Sequence, residues 1–114
     1  MIYAIDFDGT IVENKWPAIG NLNPDAVKFI RAVKYSGNVF ILWTNRVGQR
    51  LQDAVDFLAA NDIAPDYVNS NVPQVIEDFG SDSRKIFADV FIDDRNAGGL
   101  VWPTIKIKGQ EDNE

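Results

Sequence analysis

The chain contains neither cysteine nor histidine, and these absences exclude much of the chemistry that proteins use. Without cysteine there can be no disulfide, no thiol nucleophile and no thiolate zinc site. Without histidine there can be no serine–histidine triad, no imidazole base and no imidazole metal ligand. Carboxylates, hydroxyls, lysine and arginine remain for catalysis, and carboxylates favour hard cations such as Mg²⁺.

Long apolar runs are also absent, and basic residues are scarce. No apolar run approaches the ~20 residues that span a bilayer, and no positive charge precedes the apolar N-terminal stretch. We therefore expect no membrane association, no signal peptide and a cytoplasmic location. The 11 Lys and Arg are outnumbered by 17 Asp and Glu, for a net charge of −6. This balance argues against extended nucleic-acid binding, which needs a basic face.

The length of 114 residues and the 46% hydrophobic content indicate one globular domain with one core. We expect the domain to span residues 1–108, with an acidic, frayed tail at 109–114. Short apolar segments alternate with helical patterns, which predicts a parallel sheet covered on both faces. The predicted fold class is α/β, a three-layer Rossmann-like fold with a central parallel sheet of about five strands. The predicted strands are 2–7, 39–43, 67–69, 88–92 and 104–108, and the predicted helices follow Asn23 or lie at 47–61 and 72–79.

Polar side chains gather where the predicted strands end. They are Asp6, Asp8, Thr44, Asn45, Asp93 and Asp94. Because ligands of such sheets bind at the carboxyl ends of the strands, we expect these groups to share one site. Four carboxylates in one crevice repel each other, and Mg²⁺ would relieve that conflict.

A lysine and a helix start accompany the acids. Lys85 precedes the fourth strand and could reach the cluster if the connection folds back. Thr44 offers a hydroxyl, and the amides of "TNR" open a predicted helix, where anions bind readily. Each feature alone has an ordinary explanation, such as a solvated loop, a cap or a surface lysine. Their combination on the right strand ends indicates phosphoryl transfer.

Three segments, "DFDGTIV", "ILWTNR" and "RKIFADVFIDDRN", resemble the four motifs of the haloacid dehalogenase superfamily, on its phosphatase branch. The matching positions are Asp6, Asp8, Gly9, Thr10, Thr44, Lys85, Asp93 and Asp94. The resemblance extends from Met1 to about Lys108, and the lysine and fourth strand are loosely similar to the deoxyribonucleotidase group.

The resemblance implies a Mg²⁺-dependent phosphomonoesterase. Asp6 would attack phosphorus and form an aspartyl-phosphate, and Asp8 would act as general acid and base. Lys85 would neutralise charge at Asp6 and on the transferring group. The phosphoryl oxygens would be held by Gly9, Thr10, Thr44, Asn45 and Lys85.

The same resemblance implies a set of Mg²⁺ ligands. Asp6 would bind through its carboxylate and Asp8 through its backbone carbonyl. Asp94 would bind directly, with Asp93 acting through water or by orientation.

Members of this superfamily often carry a cap domain, and this chain has no insertion large enough for one. The site would therefore be open, and either a large substrate or a partner subunit of a homo-oligomer would cover it. The substrate would be a small phosphorylated molecule or an exposed phosphate on a larger one. Trp16 would either stack on a leaving group or pack its loop onto the body. Arg46 and Arg95 would either contact a second anionic group or form surface ion pairs.

Two other functions remain open. A signalling receiver domain uses similar residues, but it places its acidic pair after the first strand and its lone acceptor after the third. An inactive relative that serves as a binding module is the other alternative, although every motif position holds a competent residue.

Overall fold

Four short parallel strands form the centre of the fold in a computed structural model that describes residues 1–105. The strands are Ile2–Ile5 (β1), Val39–Leu42 (β2), Tyr67–Val68 (β3) and Val90–Ile92 (β4). The helices are Pro24–Tyr35 (α1), Gly48–Ala60 (α2) and Pro73–Phe79 (α3). The spatial strand order is β3-β2-β1-β4, and every pairing is parallel.

The first helix shows how local sequence sets an element. The Asn23 side chain accepts a hydrogen bond from the backbone N–H of Asp25 at 3.0 Å and so caps α1. Pro24 occupies the first turn, where its missing N–H costs nothing. The helix buries Ala26, Phe29, Ile30 and Val33, whose spacing gives one apolar stripe facing the sheet.

The direction of the crossovers decides which face of the sheet each connection covers. The chain steps from β1 to β2 to β3 in one direction, so right-handed crossovers place α1 and α2 on the same face. Their buried residues share one core with Tyr3, Ile5 and Phe40. The connection from β3 to β4 returns across the opposite face, where Ile86 packs against Ala4. The strand order therefore reverses between β1 and β4, which is where such sheets bind ligands.

The α/β class and the parallel sheet are confirmed, and residues 1–105 contain four strands where the sequence predicts about five for the chain. Thr104 and Ile105, which begin the predicted fifth strand, are not in a strand. Leu100, Trp102 and Ile105 instead pack as an irregular segment against the main core. The rest of that strand, 106–108, and the predicted tail, 109–114, lie outside the described residues. Within residues 1–105, no helix combines the length and apolarity needed to cross a bilayer.

Candidate active site

Three aspartates meet where β1 and β4 end side by side. Asp6 directly follows β1, and Asp93 and Asp94 follow β4. The backbone N–H of Asp6 donates to the carbonyl of Ile92 at 2.9 Å, so the two backbone segments stay paired where β1 ends. As a result, one carboxylate oxygen from each aspartate lies within 4.8 Å of the other two.

The environment of this cluster disfavours negative charge. The pKa of Asp6 is raised from 3.8 to about 7, mainly by burial and next by the charge of Asp93, while the Thr10 hydroxyl opposes the shift. Burial also raises the pKa of Asp93, and the neighbouring Asp94 adds to the effect. A divalent cation would reverse this cost by pairing with all three carboxylates. The oxygen-only donor set fits Mg²⁺, which these three aspartates would hold.

A single buried hydroxyl joins the two acid-bearing strand ends. Thr10 Oγ1 donates to Asp6 Oδ2 at 3.0 Å and accepts from the backbone N–H of Asp94 at 3.0 Å. Gly9 lies beside them with φ +87°, and a Cβ at this position would lie 2.5 Å from Asp94 Oδ2. Thr10 therefore bridges the two strand ends, and Gly9 leaves room for the Asp94 carboxylate. That both residues also contact phosphate stays a prediction.

The second aspartate of the "DFD" segment lies apart from the cluster. Both carboxylate oxygens of Asp8 accept from Arg46, at 2.8 Å from Nε and 2.7 Å from Nη2. Arg46 is only 2% exposed. Its guanidinium lies 5.1 Å from the ring centre of Phe7 and 5.0 Å from that of Trp16. Of the two predicted roles of Arg46, a contact to an anion or a surface ion pair, the ion pair is present, but its guanidinium is buried.

Thr44 is held just beyond the end of β2 by Asn69, which is not among the predicted site residues. Asn69 accepts from the backbone N–H of Thr44 at 2.8 Å and donates to its carbonyl at 2.9 Å. The Thr44 hydroxyl accepts from the backbone N–H of Arg46 at 3.1 Å. Because α2 begins only at Gly48, the amides of "TNR" belong to the preceding loop. A polar residue directly after β3 was the one sequence signal that could have identified Asn69.

These groups surround one open cavity of about 360 Å³ at the carboxyl ends of the strands. Trp16 lies at this cavity and is 56% exposed, so the structure accommodates both roles considered for it. The lining residues of this larger cavity are Asp6, Asp8, Asn14, Trp16, Thr44, Asn45, Arg46, Asp93, Asp94 and Arg95. A smaller depression of about 140 Å³ joins the aspartates to the threonine, and its lining is Asp6, Trp43, Thr44, Asn45 and Asp93.

Three predicted site residues do not line this cavity: Lys85, Gly9 and Thr10. Gly9 and Thr10 lie behind the acids and border a separate depression. Lys85 lies apart from both. It is exposed, and its backbone carbonyl accepts from the Ser83 hydroxyl at 2.7 Å. The next residue, Ile86, is buried against Ala4 and Ile41 on the sheet face. This burial fixes the segment in a position where Lys85 faces solvent.

Comparison with known proteins gives one related structure. No protein-family model matches the chain, and no curated protein matches it. A solved structure of a conserved protein from Bacteroides thetaiotaomicron is 39% identical, with a TM-score of 0.77. The similarity covers 87% of this chain and 79% of that one. The chain therefore belongs to the same family as this Bacteroides protein.

Proposed function

We propose that this protein is a Mg²⁺-dependent phosphomonoesterase that acts through an aspartyl-phosphate on Asp6. The observation that carries the proposal is the grouping of Asp6, Asp93 and Asp94 within 4.8 Å, with Thr44 lining the same cavity. A carboxylate nucleophile, a cation site and a phosphoryl-binding hydroxyl are the parts that this chemistry needs. The resemblance of the motifs to haloacid dehalogenase phosphatases supports the same proposal.

The reaction would proceed in two displacements. A carboxylate oxygen of Asp6 attacks phosphorus, the ester P–O bond breaks, and the leaving oxygen takes a proton from Asp8. A water molecule then attacks phosphorus in the aspartyl-phosphate and gives its proton to Asp8. The acyl-phosphate P–O bond breaks, which releases inorganic phosphate and restores the Asp6 carboxylate.

The remaining contacts follow from the cavity. The Thr44 hydroxyl and the Asn45 amide would hold phosphoryl oxygens, because both residues border the depression beside Asp6. A bound Mg²⁺ would neutralise charge on the acids and on the phosphoryl group. Lys85 lies outside the cavity, so the proposal assigns it no phosphoryl contact in this arrangement. Arg95 lines the cavity and is exposed, which leaves it available to a second anionic group of the substrate.

The test is phosphate release from a panel of phosphomonoesters with Mg²⁺. The panel contains nucleotides, sugar phosphates, p-nitrophenyl phosphate and a phosphorylated oligonucleotide. We expect Asp6→Asn to abolish turnover, and Asp8→Asn to slow it by about 10²–10⁴-fold. With an aryl phosphate labelled in its phosphoryl group, acid quenching of the reaction with Asp8→Asn is expected to trap phosphorylated protein. The second displacement lacks its base in this variant, so the aspartyl-phosphate accumulates.

The matched control is Asp56→Asn, which makes the same chemical change on an exposed face of α2. Its turnover is expected to equal that of the wild type. A wild type that binds Mg²⁺ but hydrolyses no ester would contradict the proposal. Stable labelling of Asp6 by a small acyl phosphate without turnover would favour the receiver-like alternative.

A further inference from the structure

We propose that Arg46 is a positioning residue that keeps the Asp8 carboxylate out of the cation site. This inference rests on the proposed function, in which Asp8 must exchange protons with the substrate. Asp6 and Asp8 are only two positions apart, and both line the cavity. Their spacing alone therefore does not keep the Asp8 carboxylate away from a cation bound at Asp6. A specific restraint on Asp8 is therefore needed, and the structure contains one.

The Arg46 guanidinium is fixed on all sides. It carries five N–H donors, and each has an acceptor. Nε and Nη2 bind the two oxygens of Asp8, and Nη2 also donates to the Ala18 carbonyl at 3.0 Å. Nη1 donates to the carbonyls of Pro17 at 3.3 Å and Arg50 at 3.4 Å. No donor of this buried group is left for a substrate anion, so its role is directed at Asp8.

The aromatic contacts add to this restraint. The guanidinium contacts both the buried ring of Phe7 and the exposed ring of Trp16. Such cation–π contacts stabilise a guanidinium most where water is excluded. Through the carbonyls and Trp16, Arg46 also ties Asp8 to the loop between "DFDGT" and α1. The position of Asp8 thus depends on a packed assembly and not on its own backbone alone.

A cation in the site would otherwise attract Asp8. Asp8 lines the same cavity as Asp6, Asp93 and Asp94, yet it is not part of their cluster. An unrestrained carboxylate at this place would add a fourth negative ligand for Mg²⁺. Bound to the cation, Asp8 could not give a proton to the leaving oxygen. The pair with Arg46 prevents this, because a bidentate guanidinium fixes both oxygens in one geometry.

The test compares Mg²⁺ affinity, measured by calorimetry with the metal alone, in four proteins. They are the wild type, Arg46→Met, Asp8→Asn and the double variant. We expect Arg46→Met to bind Mg²⁺ on the order of tenfold more tightly than the wild type, because Asp8 joins the ligands. In the Asp8→Asn background, the same arginine substitution is expected to increase Mg²⁺ affinity much less. An equal gain in both backgrounds would overturn the proposal, since it would reflect only the loss of a positive charge.

Arg95→Met provides the matched control for charge. Arg95 lines the cavity but makes no hydrogen bond to Asp8, so its effect on Mg²⁺ affinity is expected to be independent of Asp8. Arg46→Lys replaces Arg46→Met in the comparison if the melting curve shows that the methionine variant does not fold. The lysine keeps the charge but loses the two-pronged contact. A lysine variant with wild-type Mg²⁺ affinity and wild-type kcat/KM would also overturn the proposal.

Kinetics give the second readout. The kcat/KM of Arg46→Lys is expected to fall by about 10–100-fold on an alkyl phosphate. It is expected to fall much less on p-nitrophenyl phosphate, whose leaving group needs no proton. Equal losses on both substrates would indicate a general structural defect and overturn the positioning role. If the wild type hydrolyses nothing, the proposed function fails, while the calorimetric comparison still decides whether Arg46 restrains Asp8.

Discussion

The backbone N–H of Asp94 donates a hydrogen bond of 3.0 Å to the hydroxyl of Thr10, although 84 positions separate the two residues. The same hydroxyl donates to Asp6 Oδ2 at 3.0 Å. One buried side chain therefore sets the distance between the acids that follow β1 and those that follow β4. This relationship lets the geometry of the proposed cation site be tested without changing any carboxylate.

Replacement of Thr10 by valine is expected to lower both stability and Mg²⁺ affinity. Valine has the same shape but leaves the partly buried N–H of Asp94 without its acceptor, a loss of about 1 kcal/mol. Urea unfolding and calorimetry with Mg²⁺ would measure the two effects. Thr10→Ser keeps the hydroxyl and is the control, with Mg²⁺ affinity close to that of the wild type. If valine left Mg²⁺ binding unchanged, the bridge would not be what spaces the acids.

Replacement of Gly9 by alanine is expected to impair the cation site specifically. Its φ of +87° disfavours a side chain, and the new Cβ would lie 2.5 Å from Asp94 Oδ2. Gly37→Ala is the matched control, because φ is +77° there but no atom lies within 4 Å of the added Cβ. Both variants are expected to lose roughly 1–2 kcal/mol of stability from the backbone conformation. Only Gly9→Ala is expected to weaken Mg²⁺ binding, and equal affinities in the two variants would refute this prediction.

The metal-free protein is expected to lose stability as the pH rises from about 4 to about 7. The pKa of Asp6 is about 7 in the fold, against 3.8 for an ordinary aspartate. Within this window the folded state keeps a proton that the unfolded state has released, so folding is favoured at the lower pH. Urea unfolding at about pH 5 and about pH 8 would measure the change in the free energy of unfolding.

Two comparisons isolate the contribution of Asp6 from that of the other acids. The pH dependence is expected to be smaller in Asp6→Asn, which cannot ionise. Saturating Mg²⁺ is expected to restore stability at the higher pH, because the cation binds the folded, deprotonated cluster. A wild type and an Asp6→Asn variant with the same pH dependence would show that Asp6 is not the group responsible.

Replacement of Asn69 by glycine is expected to disturb substrate binding through Thr44. Asn69 has φ +51°, which glycine adopts without strain, so this change removes the side-chain hydrogen bonds but not the backbone conformation. The loss of both bonds to Thr44 is expected to cost about 2 kcal/mol of stability. The KM for a phosphomonoester is expected to rise, while Mg²⁺ affinity remains unchanged because the Asn69 side chain bonds to Thr44 and not to the acids. A weakened Mg²⁺ affinity would contradict this division of roles.

The elements of the fold were readable because their signals are local. The cap at Asn23, the apolar stripe of α1 and the apolar β-branched strands each depend on neighbouring residues only. The α/β class followed from their alternation, and the structure confirms it. The predicted fifth strand had the same kind of local signal in its alternation, yet Thr104 and Ile105 are not in a strand. Strand formation needs a partner as well as a pattern, and the pattern carries no information about the partner.

The chemistry of the site was similarly present in the order of residues along the chain. The absence of cysteine and histidine left carboxylates as the candidate metal ligands, and the strand ends placed Asp6 near Asp93 and Asp94. Sequence order could not show that Arg46 is buried against Asp8, that Thr10 bridges two strand ends, or that Lys85 faces solvent. These features depend on which side chains meet across the crossovers, since the contacts join residues from distant parts of the chain. Residue types and periodicity thus specify the chemistry that is available, while packing between the strands assigns each group its partner.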